Sequence, residues 1–394
     1  MAFAKFLKFP RIFILLLLIS YASVSAVIFT PGLPRLAEDF GISEEMAQWT
    51  MSLYLVGYAL GQLPYGPIAN RFGRKKAIYI GLSLAILGTL VCYLAWSFPV
   101  LCLGRFLQAM GAASGLKLTF TMISDTQTKE TAARALSLLM LAFVAMPAIG
   151  VAISGYITVF WGWKGCFGFL SLYSIILRLL CLSIPETSNQ LDRDALKPKR
   201  IIHGYARQFK DSFMVLHAML GGLTTALLYV FATLAPYVGI LKIGMSPDKF
   251  GLWSFIPYSG LFIGILYTRS IVRTRKPSTA ILLGILIGMV GILGMTIAFA
   301  NHWVNYWTLF MPMFLVQMGD SLIYTFAATT GVAETSDKSN ASAVMQFITI
   351  GMATVSIFII GFFPPAALMT LPVALGIIAF SMLVIWLKLR TRCI

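Results

Sequence analysis

Charged residues are scarce in this sequence. Asp, Glu, Lys and Arg together make up 11% of the 394 residues, whereas a soluble domain of ordinary composition carries about 25%. Hydrophobic residues make up 59%, and the mean hydropathy is +0.86. These values exclude a soluble globular protein, and the recurring apolar stretches are long enough, at about 20 residues each, to cross a bilayer. The class indicated is an all-α, multi-pass membrane protein.

Residues that bind metals or act as nucleophiles are equally sparse. The histidines are isolated, and the sequence contains neither a Gly-Lys-Ser/Thr loop for ATP phosphates nor a catalytic-triad pattern. The cysteines lack metal-ligand spacing, so we interpret them as packing residues. We expect no enzyme activity, no metal site and no cofactor. The cysteines are Cys92, Cys102, Cys166, Cys181 and Cys393, and the histidines are His203, His217 and His302.

Acidic residues are also few. The sequence has 14 Asp and Glu against 30 Lys and Arg, which gives a net charge of +16. In a soluble protein this excess would suggest nucleic acid as a partner. Here the cations sit in short loops between apolar stretches, where they set membrane topology. We therefore expect contact with membrane lipids and no binding of nucleic acid.

Twelve spans are predicted, and they are numbered in chain order. The first begins with a basic, apolar and small-residue pattern that resembles a signal peptide, but its apolar stretch continues through "VIFTPGL", which favours an uncleaved helix. The spans are 12–34, 47–69, 77–96, 99–123, 134–159, 164–184, 211–237, 249–268, 278–299, 304–328, 341–363 and 365–387.

The cations lie mostly on one side of the predicted membrane. The two chain ends and the alternate loops on their side carry 23 of the 30 Lys and Arg, and such an excess marks the cytoplasmic side. We therefore expect both termini and the polar stretch 185–210 in the cytoplasm, and the compact loops suggest a bacterial inner membrane. The stretch 185–210 divides the chain into an N-terminal bundle, 1–184, and a C-terminal bundle, 211–394. Part of this linker is a candidate amphipathic helix.

The two halves resemble each other in sequence. At an offset of 203 residues, "GISEEMAQWTMSLYLVGYALG" (41–61) aligns with "GMSPDKFGLWSFIPYSGLFIG" (244–264). Parallel repeats of six spans are typical of transporters, which bind substrate between the repeats. Chance matching within Gly-rich helices is the alternative. The matched residues are Gly41, Ser43, Gly57 and Gly61 in the first half, and Gly244, Ser246, Gly260 and Gly264 in the second.

Four cations crowd the stretch "GPIANRFGRKK" (66–76), directly after an apolar run. This stretch resembles the loop motif between the second and third helices of the major facilitator superfamily, and "GRFLQAMGAASG" (104–115) is similar to its fourth-helix motif. "MPAIGVAISG" (146–155) resembles the fifth-helix motif of its exporters. With "WGWKGCFGFL" and "IPET", these motifs look most like the bicyclomycin- and chloramphenicol-resistance branch of drug:proton antiporters. The resemblance implies twelve transmembrane helices in two pseudo-symmetric six-helix bundles, and we expect a monomer.

Three positions depart from the pattern of that family. Asn70 stands where the loop motif has Asp, and Val151 stands where the fifth-helix motif has a second Pro. Span 1, "SYASVSAVIFTPGLP", lacks the carboxylate that many relatives in the branch carry before the Pro matching Pro31. The resemblance alone therefore does not supply the residues of proton coupling.

A charge inside a predicted span is costly and usually faces a cavity or a partner, and three such charges are candidates for function. The resemblance implies a coupling role for Arg105, and binding of backbone carbonyls at a helix contact is the alternative. Lys117 on span 4 and Asp320 on span 10 lie at similar depth on opposite halves. We hypothesise that they pair when the cavity closes towards the cytoplasm and separate when it opens, forming a proton-coupled gate. Snorkelling by Lys117 and a structural role for Asp320 are the alternatives.

The resemblance also implies a conformational latch in the 66–76 loop. Asp125, at the cytoplasmic end of span 4, is the predicted acidic partner of Arg71 or Arg74 in this loop, and a solvated helix end is the alternative. Because Asn70 has no carboxylate, the latch must use a neutral hydrogen bond or depend on Asp125. The predicted latch residues are Gly66, Asn70, Arg71, Gly73, Arg74 and Asp125.

Two further groups of residues are candidates for function. Proline and glycine in spans 1 and 5 predict helix bending, with close packing as the alternative for the glycines; these are Pro31, Pro147, Gly150 and Gly155. Polar and aromatic residues of spans 2 and 10 are candidates for lining a substrate cavity, with ordinary core packing as the alternative; these are Tyr54, Tyr58, Gln317 and Tyr324.

The expected function is secondary active transport, with proton-coupled efflux of small, drug-like organic solutes by alternating access. A dedicated exporter or importer of one metabolite, such as a siderophore or a nutrient, is the first alternative, because span 1 lacks an acid and Val151 departs from the exporter motif. A membrane sensor that does not transport is a more remote alternative. The expected ligands are a small-molecule substrate and protons.

Overall fold

A computed structural model describes residues 10–188, 191–272, 274–332, 335 and 338–390, and all regular elements within them are helical. Cys393 and both chain ends lie outside the described residues. The helices are Pro10–Val27, Leu33–Phe40, Glu44–Ala47, Trp49–Gly61, Tyr65–Phe72, Arg74–Tyr93, Phe98–Thr126, Lys129–Leu180, Pro198–Phe209, Ser212–Pro236, Pro247–Trp253, Phe255–Ile271, Pro277–Ala300, Tyr306–Gly331, Lys338–Ile360 and Thr370–Arg390.

The described helices account for all twelve predicted spans. Nine segments of the described chain are long and apolar enough to cross a membrane. One of them contains both span 5 and span 6, because the helix Lys129–Leu180 breaks at Gly162, where φ is 64° and ψ is −173°. Span 4 is the helix Phe98–Thr126. It is not among the nine segments, and its charged residues lower its apolar character. Span 2 is divided after Gly61 into two shorter helices, Trp49–Gly61 and Tyr65–Phe72.

Span 1 differs from its predicted range of 12–34. Its helix stops at Val27, a 3₁₀ turn covers Thr30–Gly32, and a second helix continues from Leu33 to Phe40. Pro31 lies in that turn, where its missing N–H and fixed φ suit a first turn and oppose a continuous α-helix. Pro31 therefore separates two helices.

The two halves repeat the same turn at equivalent positions. Gly41 and Gly244 both have positive φ, at 61° and 77°, a conformation that glycine adopts without steric cost. Ser43 and Ser246 then precede the next helices with nearly identical φ/ψ of −70°/156° and −69°/151°. The predicted internal repeat is thus present in the backbone conformation as well as in the amino-acid sequence.

The repeated glycines of spans 2 and 8 also make equivalent contacts. A Cβ added to Gly61 would lie 2.8 Å from the Met110 carbonyl oxygen of span 4. A Cβ added to Gly264 would lie 2.5 Å from the Met318 carbonyl oxygen of span 10. Small residues allow such close approach of transmembrane helices, so spans 2 and 4 pack as spans 8 and 10 do.

The two halves meet closely at one end of the molecule. We call this the opposite end, defined by the turns at Gly41, Gly162 and Gly244, and we call the other the basic end, defined by the 70–76 loop and the 185–210 linker. At the opposite end, a Cβ on Gly251 of span 8 would lie 2.7 Å from the Val151 carbonyl oxygen of span 5. The backbones of spans 5 and 8 are therefore in contact across the interface between the halves.

Part of the linker is helical, as the sequence suggested. The helix Pro198–Phe209 buries Tyr205 and Gln208 and exposes most of its charged residues. The Tyr205 hydroxyl donates to the Leu63 carbonyl of span 2 at 2.9 Å, and Gly204 lies against the Asn340 side chain of span 11. The linker helix therefore contacts both halves at the basic end.

Candidate functional site

Arg105 is fully buried where span 4 crosses span 1. Its Nη1 donates to the Ser25 carbonyl at 2.8 Å and to Gln108 Oε1 at 2.7 Å, and its Nη2 donates to the Ala26 carbonyl at 3.1 Å. Those carbonyls belong to the last turn of the first helix, where they have no intrahelical partner. Arg105 thus adopts the carbonyl-binding arrangement that was the alternative interpretation of its sequence position.

Aromatic rings enclose the Arg105 guanidinium. Its Cζ lies 4.1 Å from the Tyr54 ring centroid and 4.3 Å from that of Phe29, in the range of cation–π attraction. The Tyr54 hydroxyl hydrogen-bonds Ser25 Oγ at 2.7 Å and donates to the Ala22 carbonyl at 3.1 Å. Tyr54, predicted to line a cavity, therefore uses its hydroxyl to hold span 1.

Lys117 lies beside the point where span 2 is divided. Its Nζ donates to the Gln62 carbonyl at 3.1 Å, and a Cβ on Gly66 would lie 2.8 Å from that Nζ. The break in span 2 frees carbonyls for a cation because helical pairing stops there. Gly66, predicted as a latch residue, leaves room for this ammonium group.

Asp320 is a buried acid near the middle of span 10. It is 4% exposed, and its Oδ2 has no hydrogen-bond partner among the described residues. Gln317, on the same face of the helix, is 1% exposed and its Nε2 also has no partner there. Buried polar atoms are rarely left unpaired in proteins, so this face of span 10 retains unused hydrogen-bonding capacity.

Span 2 also carries buried polar groups, and it packs against span 11. The Tyr58 hydroxyl and Gln62 Nε2 are buried without hydrogen-bond partners among the described residues, and the neighbouring Leu63 packs against the buried cluster that contains Val344 and Met345 of span 11. Tyr324 of span 10 accepts a hydrogen bond from Gln346 Nε2 at 3.3 Å. Of the predicted cavity residues, Tyr58 and Gln317 therefore leave polar atoms available, whereas the hydroxyls of Tyr54 and Tyr324 are engaged.

The two membrane-buried charges of opposite sign are apart in this conformation. Lys117 Nζ bonds a carbonyl and Asp320 Oδ2 is unpartnered, so no ion pair joins these two described side chains. The halves are in contact at the opposite end, and the hypothesis of pairing concerns closure at the basic end. The proposed pair therefore stays a prediction.

The loop at the basic end contains the contact predicted for Asp125. Arg74 Nε lies 3.0 Å from Asp125 Oδ2 in an ion pair whose side chains are 13% and 23% exposed. Arg74 Nη1 also donates to Asn70 Oδ1 at 2.7 Å. The loop thus makes both contacts that were expected in the absence of an Asp at position 70. One is the neutral hydrogen bond to Asn70, and the other is the ion pair with the acid of span 4. Arg71 instead donates to the Arg193 carbonyl of the linker, at 2.6 Å.

Glu186 completes this loop, and sequence reasoning missed it. Its carboxylate accepts the backbone N–H groups of Arg74 and Lys75 at 2.8 and 3.0 Å, at the start of the helix Arg74–Tyr93. Desolvation raises the pKa of Glu186, but backbone donors including these two outweigh it and hold the pKa below the usual value for Glu. The available signal was an acid directly after span 6, on the side of the basic loop.

Position 73 of the loop requires glycine for two reasons. Its φ is 96°, and a Cβ there would overlap the Glu186 carboxylate. Glycine is therefore required at this position both by the backbone conformation and by the closeness of the acid that caps the next helix.

The residues predicted to bend helices mainly pack in this structure. A Cβ on Gly150 would lie 2.9 Å from Val24 of span 1, and one on Gly155 would lie 2.9 Å from the Asp248 Cα of span 8. Pro147 lies inside the long helix, whose recorded break is at Gly162. Close packing thus describes the two glycines here, and bending at Pro147 stays a prediction.

Known proteins resemble this chain at modest identity. An uncharacterized transporter of Rickettsia bellii (strain RML369-C) is 28% identical over 261 residues, 66% of this chain and 64% of that protein, slightly under two thirds. Multidrug resistance protein D of Escherichia coli (strain K12) is 27% identical over 327 residues, 81% of this chain and 80% of that protein. A bicyclomycin resistance protein homolog of Haemophilus influenzae (strain ATCC 51907 / DSM 11121 / KW20 / Rd) is 28% identical over 224 residues, 57% of this chain and 56% of that protein.

The fold and a family model agree with these similarities. The crystal structure of a D-xylose-proton symporter superposes with a TM-score of 0.75 at 15% identity, covering 96% of this chain and 97% of the other. The model of the Major Facilitator Superfamily matches residues 13–360, and this family comprises transporters, not enzymes. The chain is therefore a multi-pass secondary transporter of the Major Facilitator Superfamily.

Proposed function

We propose that this protein exports small, drug-like organic solutes in exchange for protons, and that Asp320 carries the proton. The observation that supports this role is the burial of the Asp320 carboxyl group within span 10 with an unpartnered oxygen. Of the 14 acids in the sequence, it alone lies in the middle of a span. The drug-resistance names of two relatives support the substrate class.

The cycle follows from the two charged residues on opposite halves. In the conformation described, with the halves touching at the opposite end, substrate enters from the basic end and displaces the proton of Asp320. Closure at the basic end then brings Lys117 towards Asp320. A new proton arriving from the opposite side weakens that attraction and resets the transporter. The basic end is cytoplasmic in this scheme, with both termini in the cytoplasm of a bacterial cell.

The experiment is proton-coupled flux in proteoliposomes. Purified protein is reconstituted with a pH-sensitive dye inside, and proton movement is followed when cationic and neutral fluorescent drugs are added. We expect substrate-dependent proton flux in the wild type and its loss in Asp320→Asn, because the amide cannot carry a proton. Glu38→Gln neutralises an exposed acid at the opposite end and should keep wild-type flux. Unchanged pH-driven transport by Asp320→Asn would remove the acid from this role.

A dedicated carrier for one metabolite is the second candidate. The observation that favours it is the Arg105 site, where carbonyls of span 1 take the place of an acid on that span. A drug-pump-deficient bacterial strain expressing the protein should resist several unrelated drugs if the first proposal holds. A strain that gains no resistance but accumulates or exports one metabolite would support the second. Absence of any coupled flux in the reconstituted protein would instead support the non-transporting sensor.

A further inference from the structure

An amine and a carboxyl group on the two halves, those of Lys117 and Asp320, form no ion pair with any described residue. Lys117 Nζ carries three hydrogen-bond donors and has one acceptor among the described residues, the Gln62 carbonyl. Asp320 Oδ2 has none. Charges withdrawn from water are costly unless each is paired, so both groups retain capacity for a ligand of complementary charge.

A continuous series of neighbours connects these two charges. Lys117 bonds the backbone of Gln62, which lies one helical turn from Tyr58. Leu63, the next residue after Gln62, packs against the buried cluster that contains Val344 and Met345 of span 11. Gln346 of span 11 donates to the Tyr324 hydroxyl at 3.3 Å, and Tyr324 lies one turn from Asp320 on the same face of span 10. Lys117 and Asp320 therefore both adjoin the region where spans 2, 11 and 10 meet.

Neutral polar groups at both ends of this region are also unsatisfied. Gln62 Nε2 lies on the Lys117 side and Gln317 Nε2 lies on the Asp320 side, each buried without a partner among the described residues. Amide N–H groups donate to carboxylate or carbonyl oxygens. The region thus offers a cation, a carboxylate, N–H donors and two phenol rings.

We propose that the preferred substrates are zwitterions that carry an ammonium group and a carboxylate at a distance from each other. The inference rests on the proposed function, because it assigns a substrate class to the same cavity. Lys117 and Gln62 bind the carboxylate, Asp320 binds the ammonium group, and Tyr58 and Tyr324 flank the body of the molecule. A substrate with one charge would leave the opposite protein charge unpaired.

The experiment uses ω-aminocarboxylic acids of increasing chain length as probes. Each is compared with the alkylamine and the alkylcarboxylate of the same length, by their stabilisation of the purified full-length protein against thermal unfolding at one neutral pH. We expect the best zwitterion to act at a concentration about tenfold lower than either single-charge analogue, since one charge-assisted hydrogen bond supplies about that factor. Equal potency of a single-charge analogue would overturn the proposal.

Variants assign each charge to its partner. Lys117→Gln should remove the advantage of the zwitterion over the alkylamine, and Asp320→Asn its advantage over the alkylcarboxylate. Lys117→Arg should keep the preference, and Lys164→Gln, an exposed cation at the opposite end, should leave it unchanged. A preference that survives both Lys117→Gln and Asp320→Asn would also overturn the proposal.

Folding and the proposed function are controlled separately. The melting temperatures of the ligand-free variants show whether a substitution causes a folding defect. If it does, the proposal is judged from the comparison of zwitterion and single-charge analogues in the wild-type protein alone. Binding is measured without a pH gradient, so it is independent of coupling. Proton-coupled flux of another solute, together with no zwitterion preference, refutes the substrate class and leaves the proposed function standing. Zwitterion preference without proton flux refutes the coupling instead.

Discussion

The guanidinium of Arg105 holds span 4 to the end of span 1 through carbonyl oxygens. Its two nitrogens reach the carbonyls of Ser25 and Ala26 at once, and the Tyr54 ring lies against its face. Planar, forked donors of this kind are specific to arginine. The Arg105 cation is therefore bound to the backbone of span 1. A change in the conformation of this turn of span 1 would directly alter the surroundings of the charge.

Arg105→Lys should destabilise the protein although the charge is kept. A single ammonium group cannot reproduce both carbonyl contacts and the ring contact, so we expect a loss of about 2 kcal/mol. The measurement is thermal unfolding in detergent. Arg178→Lys is the matched control, because Arg178 is exposed and bonds one hydroxyl, that of Ser83. An equal melting temperature for Arg105→Lys and wild type would contradict the carbonyl-binding role.

Residue contacts were predictable where a motif and a nearby acid already suggested a pair. The contact of Asp125 with Arg71 or Arg74 was expected because the family resemblance brings the end of span 4 to the basic loop, and the structure contains it with Arg74. Glu186 was not predictable in this way, because it bonds backbone N–H groups 111 and 112 residues away. A backbone donor leaves no residue pattern in the sequence, so only the fold reveals its acceptor.

At the scale of elements, the loop between spans 2 and 3 ties span 4 and the linker to one helix start. Arg74 pairs with Asp125, and its backbone donates to Glu186. These contacts fix the basic end of the first half as one unit. The predicted role of this unit as a latch that favours the conformation closed at the basic end stays a prediction, because its contacts lie within the first half and the linker and are formed while the opposite end is closed.

Changes at Asn70 and Asp125 should shift the latch in opposite directions. Asn70→Asp adds a carboxylate beside Arg74 and should stabilise the outward-open form, whereas Asp125→Asn removes the existing one and should weaken it. Cysteine labelling from each side of the membrane measures the populations. Asn301→Asp, at an exposed helix end away from the loop, serves as the control. Labelling unchanged in both loop variants would refute the latch.

Most elements were predictable because apolar length and glycine pattern are local properties. The twelve spans and the repeat of Gly41 at Gly244 were found from the sequence, and the structure adds their shared positive φ. The divided span 2 was not predicted, because an apolar run through Gly61 gives no sign of a break. Its consequence, a free carbonyl for Lys117, was therefore also missed.

At the scale of the whole molecule, backbone contact between spans 5 and 8 closes the opposite end. The Cβ position of Gly251 is 2.7 Å from the Val151 carbonyl oxygen and 3.0 Å from the Ala152 Cα. Backbone atoms cannot move aside as a flexible side chain can. The closed arrangement therefore requires glycine at this crossing.

Gly251→Val should shift the molecule towards opening at the opposite end. Its added methyl groups meet backbone only in the closed arrangement, so the open one is favoured by comparison. Accessibility of a cysteine placed in the cavity, labelled from outside the cell, should rise several-fold for a shift of about 1 kcal/mol. Gly294→Val, at a glycine with no neighbour within 4 Å, controls for the β-branched residue. Unchanged labelling in Gly251→Val would contradict this account.

The anchored linker sets a limit on how far the halves can separate. The Arg193 carbonyl is held by Arg71, and the helix that contacts the second half begins at Pro198. Only four residues, 194–197, remain between these anchors, and they reach about 14 Å when fully extended. While the loop holds the linker and the linker helix stays on the second half, the basic end can therefore open only within about this tether length. Wider opening would first require the linker to detach from the loop.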